Sequence, residues 1–507
     1  RPKDALAARG GVRVVWSPSL VGSLEGVREY MQRYPYDCLE QRVSRAVALD
    51  DAAAWQAIGA ELPTLLDEEG LARYFPADWL PGSDVLTAYV LAIAHAAGAP
   101  LPEAARTRML DALEALATGK RPYRRLFRPG DDTLRRLITL EALARHGRVT
   151  PAMLEPLSIH PQLWPTSALL DWYSIQRHAS ALPGRDARLA EADTLLRNRL
   201  VWSATRLGFS TEARDGLWWL LRSADENAAR ALLLVADSPE WTEEAPRLAG
   251  GTIARQVKGH WDTTLANAWG TLAMRRYATR FEREAVGGQS TAALGGAAQT
   301  IDWGVAPAAG GAQVFDWPAS GRGELRLAHQ GNGAPWALVQ ASAAIALRQP
   351  LAAGLKVHRS VESVQAAVPG RHTRGDLLRV KLAIEAQQDL TWVVLSDPLP
   401  AGSSVVGGLR NAGTPLGVQA GGLEHWPAFT EAGFEHYRAY FDVLPRGTTR
   451  LEYLVRLNAA GEFRLPATRA EAMYAPDLFG ALPNGTMTIA AAPSPAAPSP
   501  VAPGGER

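Results

Sequence analysis

The sequence predicts a mixed, multidomain fold. A long series of paired antiparallel helices, which closed into a ring is an α/α-toroid, precedes an antiparallel β-sandwich. Three observations carry this expectation. At 507 residues the chain outgrows a single core, since cores stop growing near ~250–300 residues. From Leu20 to about Arg283 its texture is rich in Ala and Leu, with apolar residues at helical spacing. Beyond a Gly- and Ala-dominated stretch between Gly287 and Gly323, strand-like runs separated by turn residues take over.

Taken in order, Gly11-Val12-Arg13-Val14-Val15-Trp16 reads as the end of a β-strand ahead of the helices. Leu86, Tyr89, Val90 and Ile93 then fall at i, i+3, i+4 and i+7, one face of an α-helix, and Leu265, Trp269 and Leu272 repeat the pattern. About a dozen such segments follow one another, many bounded by punctuation such as Leu80-Pro81-Gly82-Ser83-Asp84. Short helices on short connections favour stacked antiparallel pairs; periodicity does not distinguish a ring from an open solenoid. Strands are expected at Glu324–Leu327, Trp336–Gln340, Leu377–Ile384, Thr391–Leu395 and Arg450–Arg456. Asp-Pro, Pro-Arg-Gly and Ala-Ala-Gly turns are expected to separate several of them, giving a sandwich over 351–488. From Ala490 the chain is Ala/Pro/Ser-rich and is expected to form a disordered tail.

Bulk chemistry excludes several classes. Fifty-three basic against fifty-two acidic residues give a formal charge of +1, no footprint for nucleic acid or an acidic membrane surface. No apolar run reaches the length of a membrane span, about 18 residues or more. Arg1-Pro2-Lys3-Asp4 lacks the apolar core of a signal peptide, so the chain is expected to be either cytosolic or one piece of a longer protein. Ten His and a single Cys form no metal-ligand spacing; neither metal nor cofactor is expected. One cysteine also excludes an internal disulfide, and it directs attention to that residue's own chemistry.

Cys38 lies in Tyr34-Pro35-Tyr36-Asp37-Cys38-Leu39-Glu40-Gln41, just before a strong helical run from near Arg42. Residues three apart share a helix face, with Cβ atoms about 5–6 Å apart. A thiol and a carboxamide so placed can condense with loss of ammonia into a thioester. The acyl group is then activated, because thiolate is a good leaving group and a helix N-terminus stabilises it further. An amine or hydroxyl would take the Gln41 acyl group and release Cys38 as a thiol, once per molecule.

At these residues the sequence resembles the thioester-containing α2-macroglobulin and complement family, whose signature is Cys-x-Glu-Gln; Tyr34-Pro35-Tyr36 is similar to its bacterial branch. Asp37 stands where the family usually has Gly. Gly259-His260-Trp261-Asp262-Thr263-Thr264-Leu265-Ala266-Asn267-Ala268-Trp269 resembles the late thioester-domain motif, with Leu265 in place of the usual Gln. Glu471-Ala472-Met473-Tyr474-Ala475-Pro476 resembles the Met-Tyr-x-Pro element that closes bacterial members. The resemblance implies the C-terminal region of such a protein. Residues 1–18 would end a β-domain, 19–285 would form an inserted α/α-toroid thioester domain, and 286–350 would complete the interrupted β-domain. Residues 351–489 would be the last macroglobulin-like sandwich, and 490–507 the tail. It further implies a bacterial protease trap, a single-use inhibitor and not an enzyme, that couples covalently to target proteases through amine attack on the Gln41 acyl group after bait cleavage. A periplasmic location and an inner-membrane anchor in an upstream region are implied as well. Cys38 and Gln41 would form the thioester, with Leu39 and Glu40 between them. Tyr34, Met473 and Tyr474 would shield it from water, and Tyr36, His260 and Trp261 would lie close to it. His160 matches no catalytic histidine of complement relatives, so amines are expected over hydroxyls.

Plainer readings stand beside these. Glu40 is expected to be a solvated carboxylate at a helix start, where acids are favoured in any case. His260 and His160 are expected to be structural, Met473-Tyr474 has a strand-end alternative, and most of the sixteen Trp are expected in cores. Two other functions compete. A helical toroid followed by a β-sandwich also resembles polysaccharide lyases and glycosidases, which use Trp to hold sugars and carboxylate pairs as acid and base. That reading leaves Cys38 and Gln41 without a role. The other is a thioester-silent envelope binding protein of the same fold.

Overall fold

The computed structural model describes residues 1–22, 24–123, 131–157, 159–203, 205–209, 216–282, 284–305, 310–318, 323–406, 419–420, 423–424 and 426–492. They belong to two compact units, Arg1–Ala346 and Leu347–Arg507. Of the expected tail, residues 493–507 lie outside the described residues. Ala490 is tied down, donating its N–H to the His372 carbonyl at 2.8 Å and accepting from Arg374 at 2.9 Å.

The first unit holds eleven α-helices among the described residues: α1 (Glu25–Arg33), α2 (Leu39–Leu49), α3 (Ala52–Glu61), α4 (Asp84–Ala97), α5 (Glu103–Ala117), α6 (Asp132–Arg145), α7 (Thr166–His178), α8 (Arg185–Asn198), α9 (Ala224–Val235), α10 (Ala245–Ile253) and α11 (Thr264–Phe281). Local chemistry starts the inner ones: Ser83, Ser223 and Thr263 cap α4, α9 and α11 by accepting from the Leu86, Glu226 and Ala266 amides, each cap being worth about 1 kcal/mol. Packing runs α2 on α4, α4 on α6, α6 on α7, α7 on α9, α9 on α11, and α11 back on α2. The circuit closes, so the helices form an α/α-toroid. Residues 84–94 of α4, 166–176 of α7 and 264–274 of α11 are buried without a break, as befits an inner ring. On α8, in the outer layer, only Ala192 and Leu196 are buried.

Pairs across the ring show its polarity. Near their starts, α4 and α6 are joined by Asp84 and Arg135 at 2.7 Å, and α9 and α11 by Ser223 and Asp262 at 2.9 Å. At the far ends of α4, α6 and α7, the rings of His95, His146 and His178 gather with centroids 5.4 and 5.6 Å apart. These inner helices therefore present positive dipole ends on one side. Opposite charges compensate along the axis. Glu141 holds Arg145 at 2.6 Å, Asp171 holds Arg222 at 3.0 Å as well as Arg230, and Glu226 holds Arg222 at 2.7 Å.

Strand β1 (Ala5–Ser17) precedes the helices, and a hairpin of β2 (Leu200–Ser203) and β3 (Arg206–Phe209) interrupts them. After them come β4 (Gln289–Leu294), β5 (Ala297–Asp302), β6 (Gly311–Phe315), β7 (Leu325–Gln330) and β8 (Trp336–Ile345). In one sheet β1 lies between β6 and β8, antiparallel to both, with Val14 opposite Gln313 and Val339. A second sheet runs β5-β4-β7. Val12, Val14, Trp16, Ala292, Leu294 and Phe315 pack between the two. The chain thus leaves a sheet, builds the ring, and returns to the same sheet. Strands start at Gln289, earlier than the residue pattern suggests, because Ala and Ser on β4 offer little hydropathy contrast. Gly295 and Gly296, at φ of 60° and 91°, make a β4–β5 turn that suits left-handed conformations.

The second unit is a β-sandwich built from β9 (Leu351–Ala353), β10 (Leu355–Gln365), β11 (Leu377–Ala386), β12 (Leu390–Pro398), β13 (Ser404–Val406), β14 (Gln419–Ala420), β15 (Leu423–Glu424), β16 (Phe429–Ala432), β17 (His436–Leu444), β18 (Gly447–Arg456), β19 (Gly461–Arg464), β20 (Thr468–Ala472), β21 (Phe479–Leu482) and β22 (Thr486–Ile489). One sheet runs β10-β11-β18-β14-β15 with β13 on β18; the other runs β16-β17-β12-β20-β21-β9. Strict alternation on β11 buries Leu378, Val380, Leu382 and Ile384, the pattern of a sheet with one face in a core.

The expected Asp-Pro turn is instead the end of β12. Asp397 is fully buried there, accepting from Arg359 Nε at 2.9 Å, Tyr453 OH at 2.6 Å and Thr468 Oγ1. Asp-Pro favours a turn locally, but an ion pair with added hydroxyl donors compensates the buried charge. Replacing Asp397 by Ala leaves Arg359 without its partner. It should destabilise the second unit by about 3–5 kcal/mol, read as a lower denaturant midpoint for β-sheet loss while the helical signal holds.

Burial and the neighbouring Asp225 carboxylate push Asp262 up to about 7. A carboxyl whose pKa rises on folding holds its proton better in the folded state. The stabilisation is complete below the unfolded value and is lost as pH climbs through the folded one. Compared with Asp262→Asn, the wild-type melting midpoint should therefore fall between about pH 4 and about pH 7. A constant difference across that window would contradict this assignment.

Candidate functional site

Cys38 is the residue at which the chain turns into α2. Its backbone is extended, φ −69° and ψ 166°, and its carbonyl accepts the first helical bond from Arg42 N–H at 3.0 Å. Leu39 N–H donates to the Tyr74 carbonyl at 2.9 Å, fixing the angle of approach. Gln41 folds back, its Oε1 accepting from Cys38 N–H at 2.9 Å, while the Cys38 side chain accepts from the Gln41 backbone N–H. This is a reciprocal capping box with sulfur in the place usually taken by a Ser or Thr hydroxyl. Thiol and carboxamide therefore lie over one turn. Both are shut off from solvent: Cys38 is 0% and Gln41 1% exposed.

Glu40 departs from expectation. Instead of facing water it is completely buried. Its Oε1 accepts from Ser44 Oγ at 2.6 Å and from Thr264 Oγ1, at the start of α11, at 2.8 Å. Ser44 Oγ lies 2.6 Å from the Tyr89 hydroxyl of α4. Burial first, and then the Glu40 charge, raise the Tyr89 pKa well above its usual value, so that hydroxyl stays a donor. An acid at this position would ordinarily be solvated; ring closure brings α11 over it and supplies hydroxyls in place of water.

A row of aromatic rings ends at Tyr36, two residues before Cys38. The His260 ring stacks on Tyr30 with centroids 3.7 Å apart, Tyr30 meets Tyr34 edge-on at 5.4 Å, and Tyr34 meets Tyr36 edge-on at 5.6 Å. Tyr36 is buried and Tyr34 half-buried. Asp37, exposed, lies 3.2 Å from Arg45, whose other nitrogen donates to the Tyr36 carbonyl at 2.9 Å. Asp37 is not among the residues with positive φ. The turn before Cys38 therefore does not need the glycine usual there, and the arginine clip holds it.

The late motif packs beside this turn. Trp261 is fully buried and donates Nε1–H to the Thr252 carbonyl at 2.8 Å; it lies so close on Gly270 that any side chain there would overlap it. Asn267 braces the segment, donating to the Trp261 and Thr263 carbonyls at 3.0 and 2.7 Å. Leu265 is buried apolar. His260 contacts the Trp261 carbonyl through Nδ1 at 2.7 Å, and burial lowers its pKa, which keeps the ring neutral near neutral pH. His160 sits apart, capping a short turn before α7 and facing Glu191 at 3.3 Å. Met473 and Tyr474 belong to the second unit, buried after β20, with Met473 N–H donating to the Trp392 carbonyl at 3.0 Å.

Sequence reasoning missed Ser44, Tyr89, Thr264 and Arg45 as members of this site. The four-residue step from Glu40 to Ser44 is a helical neighbour distance and was a usable signal. Thr264 lies 224 positions from Glu40, and only the closed ring joins them. Among the described residues no group of His, Cys, Asp and Glu could hold a metal ion, and no helix is long and apolar enough to cross a membrane.

Known proteins resemble the chain in sequence and in fold. Residues 354–477 match the bacterial alpha-2-macroglobulin MG10 domain. An alpha-2-macroglobulin homolog of Nostoc sp. is 30% identical over 173 residues, 32% of this chain and 9% of that protein, so the match spans under a tenth of the relative's length. The native alpha-2-macroglobulin of Escherichia coli, in a crystal structure from domain MG7 to the C-terminus, superposes with a TM-score of 0.70 at 17% identity, covering 96% of this chain and 78% of that one. Salmonella alpha-2-macroglobulin reacted with methylamine gives 0.69 at 17% identity, covering 96% and 32%. The second unit thus carries a bacterial alpha-2-macroglobulin MG10 domain, and the chain as a whole has the fold of the C-terminal region of bacterial α2-macroglobulins.

Proposed function

We propose that this chain is the target-capturing C-terminal part of a bacterial protease trap, and that it couples to a protease through an internal thioester between Cys38 and Gln41. The observation that carries this reading is the reciprocal capping of those two residues, each side chain accepting from the other's backbone N–H over one buried helical turn. Ring formation joins Cys38 Sγ to Gln41 Cδ and breaks the Cδ–N bond; the nitrogen leaves as ammonia with the thiol proton. Capture reverses the polarity. A protease amine adds to Cδ, the C–S bond breaks, and the thiolate takes up a proton. Each molecule spends its acyl group once, so the protein is an inhibitor and not a turnover catalyst.

In this reading residues 19–285 are the thioester domain inserted in a β-domain made of 1–18 and 286–350, and 351–489 are the last macroglobulin-like domain. Tyr34 serves as a shield, supported by its edge contacts with Tyr30 and Tyr36; Met473 and Tyr474 are shield residues on the family resemblance. Amines are the favoured attackers, since His260 is engaged with Tyr30 and the Trp261 carbonyl. A periplasmic location, with a lipid anchor carried outside this chain, belongs to the same reading. The Salmonella relative reacted with methylamine supports the choice of that amine as probe.

Freshly purified full-length protein should be lighter than its sequence by one ammonia. Methylamine should add its own mass to that species and release one thiol per chain, and Cys38→Ala should show neither change. A wild-type mass equal to that of the sequence, with no thiol released by methylamine, would sink the proposal.

A further inference from the structure

Glu40 lies between the two acyl partners in sequence but not on their face. At 3.6 residues per turn, side chains one position apart diverge by about 100° around a helix, so Glu40 is directed away from the turn where Cys38 and Gln41 meet. It is bound there from several sides. Ser44 Oγ gives its proton to Glu40 Oε1 at 2.6 Å, which leaves the Ser44 oxygen to accept from the Tyr89 hydroxyl at 2.6 Å. Thr264 Oγ1 donates to the same carboxylate oxygen at 2.8 Å. Bonds therefore reach this carboxylate from α2, from α11 and, through Ser44, from α4. A carboxylate with no solvent contact depends on such donors for its charge.

Resting on the thioester reading, we propose that Glu40 is a positioning residue for the acyl chemistry. Its bonds to Thr264 and Ser44 fix the rotation of the first turn of α2, keeping the Cys38 sulfur against the Gln41 carboxamide for ring closure and for the later attack by an amine. In this role Glu40 acts through its bonds to Thr264 and Ser44. A turn freed to rotate by a few tens of degrees moves the sulfur by about 1 Å, a displacement that costs reacting groups up to about a hundredfold in rate.

The test uses full-length protein carrying Thr264→Val, which removes the donor and keeps the shape, with Thr264→Ser as the rescue and Glu40→Gln as a second route. Thioester content is read by intact mass, and thiol release by methylamine as a rate, both on the folded fraction and beside a thermal melt. Thr264→Val and Glu40→Gln should each lower thioester content or change the release rate by about tenfold, and Thr264→Ser should behave as wild type. If Glu40→Gln fails to fold, Thr264→Val decides. A lower melting temperature with wild-type thioester content and rate in Thr264→Val assigns a merely structural role and overturns the proposal, while the trap reading stands. Wild-type protein without the ammonia deficit overturns both.

Discussion

Helix α11 meeting helix α2 is the contact on which the molecule turns. It closes the ring of inner helices, and it sets Thr264 against Glu40 at the start of α2. The same contact therefore completes the toroid and shapes the turn that carries Cys38 and Gln41. An acyl pair built on a fraying helix end would lose its geometry to water and motion, because first turns lack half their backbone partners. Here that turn is pinned by a buried carboxylate, by the Tyr74 carbonyl on Leu39, and by the reciprocal capping of its own side chains.

Electrostatics follow from the ring's polarity. Helices α2 and α11 both begin beside Cys38, and their positive dipole ends would favour a departing thiolate in the proposed capture. Along the axis, Glu141, Asp171 and Glu226 each hold a guanidinium, and Arg145 and Arg230 lie over the Trp269 ring at 5.6 and 5.8 Å. Carboxylates engaged this way are poor candidates for the acid and base of glycoside cleavage, which need one protonated and one free group facing a substrate. The sugar-cleaving alternative gains no support from the ring's centre.

The segment before Cys38 shows how a departure from a family pattern is absorbed. Glycine usually tolerates whatever backbone a tight turn demands. In this chain Asp37 keeps an ordinary backbone and gains an arginine, Arg45, that also holds the Tyr36 carbonyl. Conformational freedom is exchanged for a side-chain clip. The clip also holds Tyr36, the inner end of the row of rings running out through Tyr34 and Tyr30 to His260.

Much of this protein is written in local pattern. Helical spacing marks α4 and α11, alternation marks β11 and β18, and a thiol three residues before a glutamine at a helix start marks the candidate site, because all three depend on backbone periods alone. Other features arise only when distant segments meet. Local preference places Glu40 in water and Asp397 in a turn; each is buried where a partner from elsewhere, Thr264 or Arg359, adds a donor that its own segment lacks. Strands β4 and β5 escape notice because alanine and serine carry too little hydropathy contrast to show which face is inward. Ring against open solenoid is likewise undecided by periodicity, since both bury the same stripe on each helix. Closure depends on where the last inner helix lands, and that is a property of the whole packed chain.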